Sequence, residues 1–301
     1  MATKAPHLTA PQQQHRLDET EEYERSLAAL QFRLVQVQQA AMRTGQRSIV
    51  VLEGWDAAGK GGMIRRMSAP LDPRFCHVIP IAEPKYEEQG RHYLYRFWRG
   101  LPLPGTITVF DRSWYGRVLV ERVEGLISKK SWQRAYNEIN QFEKMLVDDG
   151  IRLVKIFFHV SAEEQMRRFR QRLETPHKRW KLTISDLRNL EKRPLYERAI
   201  NDMFARCHTP YAPWHMVASD FKWWARCEAL SIIVGKLDDG VDLAPPPRDP
   251  EIVRKLDALL RKTGIGKKKQ VNAKRRKSGK PSKKSPKKSK KPKKAKKSQR
   301  A

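Results

Sequence analysis

The segment from residue 48 to residue 68 constrains the fold of this chain more than any other feature. Ser48–Leu52 is a short apolar run that predicts a buried strand, and Gly61–Ser68 has a helical pattern. Between them, Gly54 is followed by four residues and then by glycine and Lys60. In this context the backbone N–H groups converge on phosphate oxygens, and the helix adds its positive end. The segment therefore predicts a phosphate-binding loop, and an ordinary strand-to-helix turn is the alternative.

Two residues of this loop depart from the common pattern. Position 61 is glycine, where a Ser or Thr would ligate Mg²⁺. Asp56 lies inside the loop, and a carboxylate facing phosphates repels them unless a metal ion lies between. We therefore interpret Asp56 as a metal ligand or base, with loop capping as the alternative. The residues expected to contact phosphate are Gly54, Ala57, Ala58, Gly59, Lys60 and Gly61.

Apolar and helical segments alternate along the rest of the chain. Four further strands are predicted at His77–Ala82, Thr106–Phe110, Ile151–Val160 and Trp214–Ala218. Helices are predicted at Glu19–Arg43, Tyr86–Arg99, Ser131–Asp148, Glu163–Arg172, Pro194–Arg206 and Lys222–Leu237. Apolar strands separated by helices indicate the α/β class, with a five-stranded parallel sheet covered by helices on both faces.

A second carboxylate ends the third predicted strand. Asp111 follows TITVF directly, and Arg112 comes next. The carboxyl ends of the strands border the ligand crevice in such sheets. We expect Asp111 and Asp56 to share Mg²⁺ while Arg112 and Arg117 face phosphate, and a helix N-cap is the alternative role for Asp111.

A strongly basic segment follows the fourth predicted strand. Its cations are Arg167, Arg168, Arg170, Arg172, Lys178, Arg179 and Lys181. Arg168 and Arg172 share a helix face, because they are four residues apart. A solvated charged face is the ordinary explanation of such a run. Beside a phosphate loop it predicts an arginine-bearing lid at about residues 163–193.

Charge is concentrated at the C-terminus. The chain has 62 Lys and Arg against 33 Asp and Glu residues, and 21 of the basic residues lie from Arg261 onward, where no acid occurs. This composition predicts a disordered tail that binds polyphosphate or nucleic acid without sequence preference. The predicted organisation is a flexible N-terminus (1–17), a phosphate-loop domain (18–244), a linker with a short helix (245–262) and a Lys-rich tail (263–301).

Other classes of protein are excluded. The chain has three cysteines, Cys76, Cys207 and Cys227. Their odd number and wide spacing argue against a disulfide framework. The histidines have no metal-ligand spacing. No apolar run approaches the roughly 18 residues of a membrane span, and the N-terminus lacks the apolar region of a secretory signal. We expect a cytoplasmic protein with no membrane partner.

Together these motifs resemble the polyphosphate kinase 2 family. The matching segments, in the family's order, are EGWDAAGKGGMIRR, FDRSWYGRVLVERVEG, EEQMRRFRQR, KRWKLTISDL and TPYAPWHMV. The acid inside the loop and the missing Ser or Thr belong to the family's pattern. The resemblance implies a phosphate-loop kinase fold with a lid, which moves a phosphoryl group between inorganic polyphosphate and a nucleotide with Mg²⁺. Carried over by motif, Asp56 and Asp111 are the essential acids. Lys60 and Arg112 contact phosphate, and Arg168 and Arg172 are the arginines of the lid.

The resemblance leaves the acceptor nucleotide open. The stretch from YRFWRGLP to VERVEG is most similar to the second unit of the tandem, AMP-using type, and one such unit is present. The acceptor is a nucleoside mono- or diphosphate, in the conversions AMP to ADP, ADP to ATP or GDP to GTP. We also expect a homo-oligomer. The alternatives are a polyanion- or nucleic-acid-binding protein with a degenerate kinase body, and an ATP-dependent kinase of a small metabolite.

Overall fold

A single parallel sheet forms the centre of the computed structural model, which describes residues 4–8 and 16–263. Its strands are β1 (Ser48–Gly54), β2 (Cys76–Pro80), β3 (Ile107–Asp111), β4 (Arg152–His159) and β5 (Trp214–Ala218). Their order is β2-β3-β1-β4-β5, and each neighbouring pair is parallel. β1 and β4 are buried along nearly their whole length, so both faces of the sheet are covered. The predicted fold class is confirmed.

The helices of the described residues are α1 (Thr20–Thr44), α2 (Lys60–Ser68), α3 (Tyr95–Trp98), α4 (Val120–Val123), α5 (Lys129–Asp148), α6 (Ala162–Glu174), α7 (Ile184–Glu191), α8 (Arg193–Cys207), α9 (Lys222–Leu237) and α10 (Pro250–Thr263). Helices α2 to α8 lie in the connections between strands, whereas α1 precedes β1 and α9 and α10 follow β5. α9 packs on α1, α2 and β4, and α5 packs on α8 and β4. Within the described ranges, none of these helices is both long and apolar enough to cross a membrane.

The predicted helix over Tyr86–Arg99 is wrong over most of its length. The structure has a 3₁₀ turn at Tyr86–Glu88 and only the four-residue α3 near the end of the segment. Gly90 has a φ of +72°, a left-handed conformation that interrupts a right-handed helix. Conversely, α7 was not predicted, although Thr183 and Asp186 form a capping box at its start.

A buried polar network lies beneath the segment that follows β3. Nζ of Lys155 donates to Glu143 at 2.7 Å and to the hydroxyl of Tyr115 at 2.8 Å. The indole of Trp114 donates to the same carboxylate at 3.0 Å. Burial lowers the pKa of Lys155, and the charge of Glu143 acts in the opposite direction. Because buried polar groups must be paired, this network fixes the chain just after Asp111.

The chain divides into two units, with the boundary between Leu243 and Ala244. The first unit contains the sheet and helices α1 to α9, and the second contains α10. The predicted disordered tail lies outside the described residues from position 264 onward. The domain limits drawn from composition stay predictions.

Candidate active site

The loop between β1 and α2 depends on glycine at two positions. Gly54 has a φ of +143°, and a Cβ atom there would lie 2.4 Å from the carbonyl oxygen of Phe158 on β4. Gly59, with a φ of +118°, immediately precedes α2. L side chains rarely adopt such angles, so glycine allows this loop to turn closely over the sheet. The strand–loop–helix geometry is that of a phosphate-binding loop.

Lys60 is the first residue of α2, and its side chain reaches back into the preceding loop. Lys60 is 9% exposed, and its Nζ donates to the carbonyl oxygens of Gly54 at 2.7 Å and Trp55 at 3.1 Å. Burial lowers the pKa of Lys60, while the charges of Asp56 and Asp111 act in the opposite direction. The amine is therefore held by two loop carbonyls, where the charges of both predicted acids act on it.

Asp56 is oriented by three different parts of the chain. Oδ1 accepts a hydrogen bond from Nη2 of Arg112 at 3.1 Å, and Oδ2 accepts one from Nδ2 of Asn189 at 2.8 Å. The backbone carbonyl of Asp56 accepts from Nε2 of Gln165 at 2.9 Å. These contacts hold both the peptide and the carboxylate of Asp56 in one orientation.

Asp111 and Arg112 are placed beside the loop by strand pairing. In the register of β1 and β3, Asp111 is the partner of Leu52, two residues before Gly54. Arg112 has a φ of +65°, and its N–H donates to the carbonyl of Leu52 at 3.0 Å. Among the described residues, the Asp111 carboxylate has no hydrogen-bond or ion-pair partner. It is thus available to a ligand.

Arg168 bonds the backbone of the loop, whereas the sequence predicts a phosphate contact in a lid. It is 3% exposed, and Nε donates to Glu164 at 2.6 Å. Nη1 and Nη2 donate to four backbone carbonyls, those of Ala57 (2.9 Å), Ala58 (3.1 Å), Ser219 (2.6 Å) and Asp220 (2.9 Å). These bonds use all five N–H groups of the guanidinium. Arg168 therefore positions the loop backbone, and it has no donor left for phosphate.

The other two predicted arginines lie in different places. Nη1 of Arg172 donates to the carbonyl of Lys181 at 2.8 Å and fixes the 3₁₀ turn Pro176–Lys181. Arg117 pairs with Glu121 at 2.6 Å, and its guanidinium lies 4.8 Å from the ring centre of Tyr93. Of these two, only Arg172 borders the cleft that contains the loop.

Two cavities meet at the predicted acids. The phosphate cleft, about 700 Å³, is bordered by residues 56–62, by Asp111 and by the basic segment after β4. Its cationic side chains are Lys60, Arg65, Arg66, Arg112, Arg168, Arg172, Lys178, Lys181, Lys222 and Arg226. The aromatic cavity, about 1120 Å³, is bordered by Tyr93, Tyr95, Phe97 and Arg117 among others. Asp56, Arg112, Lys181 and Asp186 border both.

Four polar residues that support the loop were not predicted from the sequence. They are Glu53, Gln165, Asn189 and Arg193. Ser113 Oγ donates to Glu53 at 2.7 Å, and burial raises the pKa of Glu53. Arg193 donates to Gln165 at 2.6 Å and lies 4.1 Å from the ring centre of Trp55. The signal for Gln165 is its spacing, because it shares a helix face with Arg168 and the buried Phe169.

Comparisons with known proteins agree with this geometry. A family model described as polyphosphate kinase 2 matches residues 17–242. A polyphosphate:AMP phosphotransferase of Pseudomonas syringae pv. tomato is 46% identical over 213 residues, which are 71% of this chain and 43% of that protein. An ADP-polyphosphate phosphotransferase of Pseudomonas aeruginosa is 38% identical over 235 residues, 78% of this chain and 77% of that one.

The structural comparison gives the same family. The crystal structure of a polyphosphate kinase 2 from Arthrobacter aurescens TC1 has a TM-score of 0.75 against this chain, at 30% sequence identity. The match covers 80% of this chain and 88% of that one. In contrast, the chain spans less than half the length of the AMP-using relative from Pseudomonas syringae.

Proposed function

Since the chain belongs to the polyphosphate kinase 2 family, we propose that it transfers a phosphoryl group between inorganic polyphosphate and a nucleotide. The observation that carries the proposal is the position of Asp56 and Arg112, which border both cavities. A donor in one cavity and an acceptor in the other would bring their reacting phosphates together at these two residues. Direct transfer needs such positioning more than it needs covalent chemistry.

The two cavities suit different substrates. Ten cationic side chains border the phosphate cleft, against the three carboxylates of Asp56, Asp111 and Asp186, so it favours a polyanion of repeated phosphates. The aromatic cavity offers rings on which a base stacks, together with Arg117. We therefore assign polyphosphate to the phosphate cleft and the nucleotide to the aromatic cavity.

AMP is the first acceptor to test, with ADP and GDP beside it. The AMP-using relative is 46% identical to this chain, and the ADP-using relative is 38% identical. Since the chain is similar to both relatives, identity alone supports AMP without excluding a diphosphate acceptor.

The acids fit a divalent cation, which we propose to be Mg²⁺. No group of three or more His, Cys, Asp or Glu side chains within the described residues forms a complete metal cage. Mg²⁺ is ordinarily bound by one or two carboxylates together with substrate phosphates and water. Asp56 and Asp111 border the same cleft, and the free oxygens of Asp111 suit this donor set. When bound, the ion would offset charge on the phosphate oxygens.

The cationic side chains of the site have different roles. Lys60 and the N-terminus of α2 would hold the phosphates, and Arg112 would reach the group in transit between the cavities. Arg168 holds the loop by bonding the carbonyls of Ala57 and Ala58. Arg172 supports the turn Pro176–Lys181, whose basic side chains border the cleft. We propose that this segment closes over bound polyphosphate as a lid.

A transfer assay with purified full-length protein tests the proposed function. We expect polyphosphate to phosphorylate AMP, ADP or GDP in the presence of Mg²⁺, and EDTA to abolish the reaction. Phosphorylation of a small metabolite by ATP, without any transfer from polyphosphate, would identify an ATP-dependent kinase instead. Binding of polyphosphate without turnover of any nucleotide would identify a polyanion-binding protein.

A further inference from the structure

Helix α10 carries an apolar face that is exposed along its whole length. Its five large aliphatic side chains are between 41% and 63% exposed: Ile252, Val253, Leu256, Leu259 and Leu260. At 100° per residue, these positions fall within an arc of about 120° on the helix. The charged side chains Glu251, Arg254, Lys255, Asp257, Arg261 and Lys262 lie outside that arc. Such a sharp separation of apolar and charged faces is typical of a helix at an interface.

This helix lies outside the part of the chain that the proposed phosphotransfer uses. The family match ends at residue 242, and α10 begins at Pro250. The sequence that follows it, from residue 264 to residue 301, contains 19 Lys and Arg and no acidic residue. A helix with an apolar face is therefore followed at once in the chain by a strongly basic sequence.

We propose that α10 and the basic sequence after it dock on an anionic phospholipid surface. A bilayer with acidic headgroups supplies both an apolar layer for the aliphatic arc and negative charge for the lysines. Nucleic acid or polyphosphate supplies the charge but leaves the aliphatic arc in water. A second copy of the helix would cover the arc, but side by side it would bring two basic sequences together.

The helix is the right size for this role. Fourteen residues make an α-helix about 21 Å long, which lies along the interface and does not cross it. The expectation of no membrane partner rested on the lack of a spanning segment, and docking at the surface needs none. The inference does not depend on the proposed phosphotransfer.

Co-sedimentation of the full-length protein with lipid vesicles tests the proposal. The vesicles are phosphatidylcholine with about one third phosphatidylglycerol, and phosphatidylcholine alone is the neutral control. We expect binding to the anionic vesicles only. The double variant Leu256→Gln/Leu259→Gln should bind at least about tenfold more weakly, because it interrupts the aliphatic arc and keeps the charge. The matched control Ala258→Gln, on the opposite face, should bind as the unmodified protein does.

Three results would overturn the proposal. Equal vesicle binding by the double variant and the unmodified protein would show that the aliphatic arc does not enter the bilayer. Binding of double-stranded DNA with no binding to anionic vesicles would make nucleic acid the partner. A dimer that the double variant loses, with no vesicle binding by either protein, would assign the arc to a second copy. Circular dichroism checks that each variant keeps its helical content.

Discussion

Replacing Asp56 or Asp111 by asparagine should lower the rate of phosphoryl transfer by about a thousandfold or more while the protein stays folded. Each change removes a negative charge from the pair of acids to which we assign the divalent cation. Asparagine keeps the size of the side chain, so packing around the loop is little altered. The rate at saturating substrates is measured over a range of Mg²⁺ concentrations, and both variants should need more Mg²⁺.

Asp186→Asn is the matched control for these two variants. Asp186 borders both cavities, but its carboxylate accepts hydrogen bonds from the N–H and hydroxyl of Thr183 at the start of α7. The same chemical change there should lower the rate less than about tenfold, since it weakens a helix cap. Near-normal turnover of folded Asp56→Asn protein would refute the assignment of Asp56 to the metal.

Lys60→Ala and Arg112→Ala should each lower the maximal rate by about a hundredfold or more. Both side chains are cations beside Asp56, and they are held in place before any substrate binds. Loss of such a preorganised charge acts on the transition state more than on binding, so the maximal rate should fall more than KM rises. Steady-state kinetics with polyphosphate and nucleotide varied separately provide both parameters.

Two further variants separate chemistry from loop stability. Lys60→Arg keeps the charge but changes its shape, and it should recover only part of the rate because the loop encloses a narrow amine. Lys178→Ala removes a cation from the same cleft, on the turn Pro176–Lys181, and should cost less than about tenfold. If Lys60→Ala raised KM with turnover unchanged, Lys60 would contribute to binding and not to the reaction.

The sheet and the loop could be predicted because their determinants are local. The run Ser48–Leu52 is apolar at every position after Ser48, and it is a fully buried central strand. The glycines that shape the loop lie within seven residues of that run. The parallel register then brings Asp111 beside the loop without any further information from the sequence.

The side-chain contacts that hold the loop in place could not be predicted in the same way. Asn189 and Gln165 contact Asp56 across 133 and 109 residues of sequence, so only the folded topology brings them together. The spacing of Arg168 and Arg172 predicts a shared helix face, but it does not tell which one meets backbone carbonyls. Arg168 is buried among carbonyl groups and therefore positions the loop. The break in the predicted helix has, in contrast, a local signal, because Gly90 adopts a φ of +72°.

In the proposed mechanism, the phosphoryl group passes from donor to acceptor without a covalent enzyme intermediate, between two cavities that meet at Asp56. Initial-rate kinetics with both substrates varied test this mechanism best. Direct transfer requires polyphosphate and nucleotide to be bound together, so double-reciprocal plots should intersect. In addition, protein incubated with labelled polyphosphate alone should carry no covalent label. Parallel plots, together with a labelled phosphoenzyme that passes its phosphate to the nucleotide, would contradict the account.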